Sequence, residues 1–334
     1  MPVYRNHWLK KEKMNKKERN EAMSKYVFGV DIGGTTVKLG LFDVEGNVLD
    51  KWEIPTRKEE NGVKILPDVA DSIKAKMSEK QISKEEVEGV GVGVPGPVDA
   101  EGTVYQAANL GWGVFSVKDT LAGLLDMPVE AGNDANVAAL GEMWQGGGRG
   151  HKNLIAVTLG TGVGGGIIVN GHILTGATGA GGEIGHIQVD EDEKDVCGCG
   201  KTGCLEQYTS ATGIVRLANR RLAQDNMDSV LRNSEVTAKT VFDAVKDGDK
   251  LAIEVAQVFG EYLGKGLAAI ACVVNPEIFV IGGGVSKAGE VLFEYIKPSF
   301  EKAVFRGCRN VEFALATLGN DAGIYGAARS VLKD

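Results

Sequence analysis

His186, Cys197, Cys199 and Cys204 are the residues best suited to chemistry, spaced as G-H-x10-C-x-C-G-x2-G-C. Three thiols and one imidazole within nineteen positions make a tetrahedral donor set that suits zinc. All four protein positions are filled, so the metal is expected to be structural and not a Lewis acid. Glu183 stands just before this set in G-G-E-I-G-H, and Glu206 just after it in C-L-E. A closed metal knot flanked by carboxylates would hold polar side chains still around something small and polar. The other reading, ordinary buried thiols or disulfides, fits the tight spacing and the intervening glycines less well.

Two glycine-rich turns suggest anion binding. Asp31-Ile-Gly33-Gly34-Thr35-Thr36 lies between two apolar stretches, and Leu159-Gly160-Thr161-Gly162 repeats the composition in the second half. Glycine frees the backbone to approach an anion, and amide N–H and threonine hydroxyl groups donate to it. Asp31 could hold Mg2+ through water, with Lys38 as the nearby cation. Each turn alone could be a plain tight hairpin; two together suit a nucleotide triphosphate. Gly282-Gly283-Gly284 closes a strand and reads either as a close approach to adenosine or as a simple turn.

Two look-alikes are set aside. Gly160 to Gly165 satisfies G-x-G-x-x-G, but the apolar Ile167-Ile168-Val169 follows where a dinucleotide site needs a helix. Gly200-Lys201-Thr202 resembles the end of a P-loop, yet Asp195 occupies the position of its first glycine. Gly132-Asn133-Asp134-Ala135-Asn136 joins a strand to a helix. Asp134 there reads first as a helix N-cap, although the end of a buried strand is also where catalytic groups of α/β proteins gather.

The elements that must position these groups alternate, which makes the class α/β. Strands are expected at Tyr26–Val30, Val37–Phe42, Val48–Ile54, Val87–Val94, Val129–Ala131, Leu154–Leu159, Ile167–Asn170 and Ile278–Ile281. Gly160–Gly166 is read as a turn. An amphipathic helix is expected over 61–80, with Val63, Leu66, Val69, Ala70, Ile73 and Met77 on one side. Further helices are expected at Val117–Leu125, Ala135–Trp144, about 210–222, 237–246 and 249–273, from about Lys287, and at Asp321–Leu332. The strand, Gly/Thr turn and strand of Val30–Leu41 and Leu159–Val169 form a weak internal repeat, as if two related halves enclose a cleft.

The chain has 334 residues, 43% hydrophobic and 25% charged, enough for one large or two medium domains. Its formal charge of −8 argues against a nucleic-acid-binding body and offers no basic track for a polyphosphate. There is no run of eighteen apolar residues and no visible signal peptide, so no membrane is expected. Five cysteines, with Cys272 and Cys308 outside the cluster, fit a reducing cytoplasm. Residues 1–25 carry eight Lys/Arg against three Asp/Glu and read as a disordered basic leader. Met23-Ser24-Lys25 also reads as a natural start.

From Tyr26 onward the chain resembles the ROK family of sugar kinases, nearest to its bacterial, Firmicutes-type glucokinases. The resemblance rests on D-I-G-G-T-T-V-K, G-V-G-V-P-G-P-V-D, N-L-G-W, G-N-D-A-N-V-A-A-L-G-E, T-L-G-T-G-V-G-G-G-I, G-A-G-G-E-I-G-H, C-G-C-G-K-T-G-C-L-E and I-G-G-G-V-S. It implies an actin-like ATPase (ribonuclease H-like) fold with two lobes and a cleft: a small domain of 26–133 plus 321–334, and a large one of 134–320 with a zinc segment at 186–204. It implies ATP, Mg2+ and structural Zn2+, and transfer of phosphate to the 6-hydroxyl of glucose. N-acetylmannosamine or N-acetylglucosamine is the alternative substrate. Asp134 would be the base. Asn109, Asn133, Glu183, His186 and Glu206 would hold the sugar with it. Gly33, Gly34, Thr35, Gly160, Thr161 and Gly162 would grip phosphates, and Gly282 and Gly283 the adenosine side. His186 would use one ring nitrogen on zinc and the other on the sugar. The family's repressors carry a DNA-binding domain before the first strand, for which the roughly 25 residues here are too few. A homodimer or homotetramer is implied.

Overall fold

A computed structural model describes residues 25–333, so the basic leader, except Lys25, lies outside the described residues. The chain divides into two compact units, and the division falls directly after Asp134, with Gly323 onward returning to the first unit.

The first unit is built on a five-stranded sheet of order β3-β2-β1-β4-β7. Its strands are β1 (Tyr26–Ile32), β2 (Thr36–Asp43), β3 (Val48–Pro55), β4 (Val87–Val94) and β7 (Val129–Asn133), while β5 (Thr103–Val104) and β6 (Phe115–Ser116) pair separately. β1 to β3 form an antiparallel meander; β4 and β7 run parallel to β1. Helices α1 (Ile65–Lys80) and α2 (Val117–Leu125) supply Val69, Ile73 and Leu121 to a core with Phe28, Val30, Leu39 and Val92. The C-terminal helix, Ala322–Val331, lies directly on two strands. A Cβ on Gly29 or Gly91 would land inside the Ile324 or the Ala327 carbonyl respectively. Only glycine permits that approach, which explains two glycines in strands otherwise rich in valine.

The second unit repeats the strand order: β10-β9-β8-β11-β12, again three antiparallel strands followed by two parallel ones. These are β8 (Leu154–Leu159), β9 (Val163–Val169), β10 (His172–Ile173), β11 (Ile278–Gly282) and β12 (Glu312–Leu315). Helix α3 (Asp134–Gln145) carries the chain across the division. Helices α4 (Ala211–Leu222), α5 (Ala238–Lys246), α6 (Lys250–Val274) and α7 (Val291–Ala303) complete the unit. By length and composition α6 could cross a membrane, yet Val255, Phe259, Leu263 and Leu267 are buried in the core.

Several boundaries differ from expectation for packing reasons. The first long helix starts at Ile65, because Glu60, Asn61 and Gly62 are left-handed at φ 52°, 59° and 68°. That turn brings the Gly62 carbonyl to Trp112 Nε1 at 3.2 Å and leaves Val63 57% exposed, off the apolar face. The turn after β8 is only Gly160–Gly162; Gly164, Gly165 and Gly166 belong to β9, where Gly166 faces Ala139 of α3. The helix expected from Lys287 begins at Val291, after a short 3-10 turn. Gly91→Ala is expected to cost about 3 kcal/mol by overpacking. A melting temperature equal to that of the wild type would overturn this account of the strand–helix contact.

Candidate active site

β1 delivers Asp31 to the mouth of the first hairpin, and antiparallel register sets Lys38 of β2 directly opposite it. Residues paired this way share a face. Asp31 is covered by the start of the C-terminal helix: a Cβ on Gly323 would sit 2.6 Å from its carboxyl carbon. Burial, and then the nearby Asp134 carboxylate, push Asp31 up to about 6, against the pull of Lys38. Two carboxylates and one ammonium group thus meet where the hairpin opens.

β7 ends at Asn133 and α3 starts at Asp134, so the Asp134 side chain leaves the first turn of a helix. Asn133 Nδ2 donates to Asp134 Oδ1 at 3.0 Å and to the Gly96 carbonyl at 3.0 Å. The P-G-P turn therefore reaches Asp134 through Asn133, and Asn133 orients the carboxylate whatever else it touches. Asn109 is exposed on a 3-10 turn anchored by buried Leu110 and Trp112. Its Nδ2 is 3.7 Å from where a Gly34 Cβ would be, so Asn109 lies beside the first hairpin.

In the second unit Gly160 N–H donates to the Gly162 carbonyl at 3.0 Å, closing the other hairpin. A Cβ on Gly160 would meet nothing nearer than 4.0 Å, so the fold itself does not demand glycine there. Gly283, at φ 84° and crowded by the Leu159 backbone, is a glycine the fold does demand. With Gly282 it lines a cavity of about 480 Å3 that also includes Thr158, Thr317 and Glu142. Glu142 is 3% exposed and accepts backbone N–H bonds from Gly147, Thr317 and Leu318, which shapes one wall. The motif contained Glu142, but its spacing gave no hint of this role.

The cluster residues meet. Ligand atoms of His186, Cys197, Cys199 and Cys204 lie within 4.8 Å of one another. Cys199 and Cys204 Sγ are 3.6 Å apart, and Cys197 Sγ is 3.8 Å from His186 Nδ1. Bonds of about 2.3 Å at tetrahedral angles require sulfur separations of about 3.8 Å, so the set fits such a metal. Nδ1 faces the thiols, leaving Nε2 on the opposite edge of the half-buried ring. Burial pushes the Cys197 thiol up to about 12 and raises Cys204 as well, so a metal must displace their protons. Glu206 Oε1 lies 2.9 Å from Cys197 Sγ and 3.7 Å from His186 Nδ1, while its Oε2 crowds Gly162. Glu206 therefore stands between the cluster and the second hairpin. Glu183 is exposed immediately before the 3-10 turn Ile184–His186.

Sequence reasoning missed what holds the cysteine loop. Glu193 is 6% exposed and receives both Arg220 guanidinium nitrogens, Arg216 and the Tyr208 hydroxyl. Arg220, the largest influence, holds its carboxyl far below the usual range. The tyrosine rings of Tyr208 and Tyr262 stack at 3.8 Å, and both hydroxyls donate to Asp190. Glu193 sat unnoticed in the acidic run D-E-D-E-K-D. The P-loop look-alike is also explained: Lys201 Nζ donates to the His186 carbonyl at 2.9 Å.

The ROK family model matches residues 27–334, and the chain belongs to the ROK family. It is 46% identical to a glucokinase from Halalkalibacterium halodurans over 90% of this chain and 93% of that one. An N-acetylgalactosamine kinase from a Shewanella species is 33% identical over 90% and 95%. Among solved structures, a ROK family glucokinase from Streptomyces griseus in complex with glucose and AMPPNP superposes with a TM-score of 0.67, at 35% identity, covering 91% of this chain and 98% of that one. The actin-like ATPase fold expected from the resemblance is the fold of this protein.

The raised Asp31 carries a stability cost with a definite sign. Its folded value exceeds the unfolded one, so the penalty is absent below about pH 4, grows as pH rises through about 6 and persists above. In magnesium-free buffer at pH 7.5, Asp31→Asn is expected to melt roughly 2–4 °C higher than wild type, about 1 kcal/mol, with the gap falling to about a third of that at pH 4.5. An equal gap at both pH values would remove the electrostatic explanation.

Proposed function

We infer that this chain transfers the γ-phosphoryl group of ATP to the 6-hydroxyl of glucose, giving glucose 6-phosphate and ADP. The 46% identity to a glucokinase over nearly the whole of both chains carries this reading. The N-acetylhexosamine alternative is weaker, since an N-acetylgalactosamine kinase and an N-acetyl-D-glucosamine kinase are only 33% and 30% identical.

Asp134 is the group that accepts the proton of the 6-hydroxyl as its oxygen bonds to phosphorus. Asn133 keeps one carboxylate oxygen engaged, which fixes how Asp134 presents the other. Asn109, Glu183, His186 and Glu206 bind sugar hydroxyls, His186 through Nε2. Backbone N–H groups of Gly33, Gly34, Thr35, Gly160, Thr161 and Gly162 take phosphate oxygens, and the cavity at Gly282 and Gly283 takes adenosine. Asp31, a half-buried carboxylate near a second one, suits a divalent cation; it would hold Mg2+ through water, with Lys38 adding charge. Mg2+ supplies neutralisation of the phosphate charge when bound. Most of the acceleration in such transfers comes from positioning and charge stabilisation.

His186, Cys197, Cys199 and Cys204 hold structural zinc, which fixes the His186 ring and the neighbourhood of Glu206. None of the five cysteines is in a disulfide, in keeping with a cytoplasmic location. Assembly as a homodimer or homotetramer rests on the family resemblance, and light scattering reads it.

Asp134→Asn is expected to lower kcat by roughly 10²–10⁴-fold while glucose binding stays within a few-fold. Coupled ADP release with glucose and with N-acetylmannosamine measures this and the preference between sugars. Near-normal turnover would reduce Asp134 to the start of a helix. Metal analysis of the purified protein is expected to find stoichiometric zinc, and Cys197→Ala is expected to lose it and raise the KM for glucose. Zinc-free wild-type protein with full activity would remove the metal from this account.

A further inference from the structure

Each hairpin is fastened from outside by the same pair of bonds. In the first unit Thr56, immediately after β3, donates its N–H to the Thr35 carbonyl at 3.0 Å and its hydroxyl to the Gly33 carbonyl at 2.7 Å. In the second unit Ala211 N–H donates to the Gly160 carbonyl at 2.7 Å and the Thr212 hydroxyl to the Thr161 carbonyl at 2.8 Å. The anchors come from unrelated elements, a strand end and the first turn of α4, yet each supplies one backbone N–H and one threonine hydroxyl, to carbonyls at different places in the two turns.

A trans peptide points its carbonyl and the following N–H to opposite sides of one plane, and the described residues contain no cis peptide. Tying back the Gly33, Gly160 and Thr161 carbonyls therefore turns the N–H groups of Gly34, Thr161 and Gly162 the other way. Among the described residues those three N–H groups have no backbone acceptor outside regular strands and helices. An untied carbonyl could rotate inward, where its oxygen would repel a phosphate oxygen and withdraw a donor.

We propose that Thr56 and Thr212 are positioning residues for nucleotide binding: their hydroxyls hold hairpin carbonyls away from the triphosphate so that the backbone N–H groups face it. This rests on the reading that both hairpins bind phosphate. Thr212 also ties the nucleotide side to the cysteine segment. Ser210 Oγ donates to the Glu206 carbonyl at 2.6 Å, accepts from Gly213 N–H and lies 3.0 Å from Thr212 Oγ1.

The test is calorimetric titration of the full-length protein with AMPPNP and, separately, with glucose. Thr56→Val and Thr212→Val keep side-chain volume and remove one donor. Each is expected to weaken AMPPNP binding about 3- to 10-fold. The double variant should multiply the two effects, Thr56→Ser and Thr212→Ser should restore wild-type binding, and glucose affinity should not change. Gly160→Ala, which the fold accommodates, is the control for the hairpin itself and is expected to weaken AMPPNP. If Gly160→Ala weakens binding and the valine variants do not, or if serine fails to rescue, the positioning role is overturned. If Gly160→Ala also binds AMPPNP normally, the phosphate reading of that hairpin fails with it. Equal losses for AMPPNP and glucose would assign the threonines to general stability, against the proposal.

Discussion

The first unit is organised around one unfavourable arrangement: the Asp31 carboxylate half-buried at the end of β1, under the backbone of Gly323 and near a second carboxylate. Left to itself such a group would move to water or keep a proton. It does neither freely, because β1 is the central strand and Gly29 and Gly91 let the C-terminal helix press onto the sheet above it. A rigid packing contact thus holds an electrostatically strained group in place. A cation would relieve strain of this kind, so the Mg2+ role proposed for Asp31 and its stability cost would have the same origin.

The second unit solves a different problem. Glu183 precedes, and His186 and Glu206 belong to, one-turn helices (Ile184–His186 and Glu206–Thr209), too short to hold side chains as a long helix or strand ladder does. With the proposed zinc bound, the four-donor cluster would fix the loop from inside. Glu193, with Arg216, Arg220 and Tyr208, fixes it from beneath. Arginine suits this role because its planar fork satisfies both oxygens of a carboxylate that is nearly out of water.

The candidate reacting and binding groups stand out in the sequence far better than the groups that hold them. Cysteine spacing and the glycine hairpins are local patterns set by chemistry, and they are visible within a few residues. The anchors Thr56, Glu142 and Glu193 act across 23, 175 and 27 residues respectively, and nothing in their own neighbourhood marks them. Boundaries failed for a related reason. Gly164–Gly166 read as turn because glycine usually punctuates, yet these glycines continue a strand that needs space for α3 and for the loop at Gly182. Val63 matched a helical period, but a left-handed turn pinned by Trp112 intervened.

The two hairpins sit at equivalent places in sheets of equal strand order, between the first two strands of β1–β2 and β8–β9. Equivalent position does not by itself explain equivalent bonding, because the anchor in one unit is a strand end and in the other a helix start. If both hairpins bind phosphate, what the two share is the need to turn backbone N–H groups to one side. In a three-residue turn that need is met by engaging turn carbonyls on the other side, and a backbone N–H with a neighbouring hydroxyl does this without adding charge. A lysine or arginine in the same place would bind the carbonyl more strongly but would also compete for the phosphate. Threonine is the smaller solution, and its β-branch restricts the rotamer that keeps its hydroxyl on target.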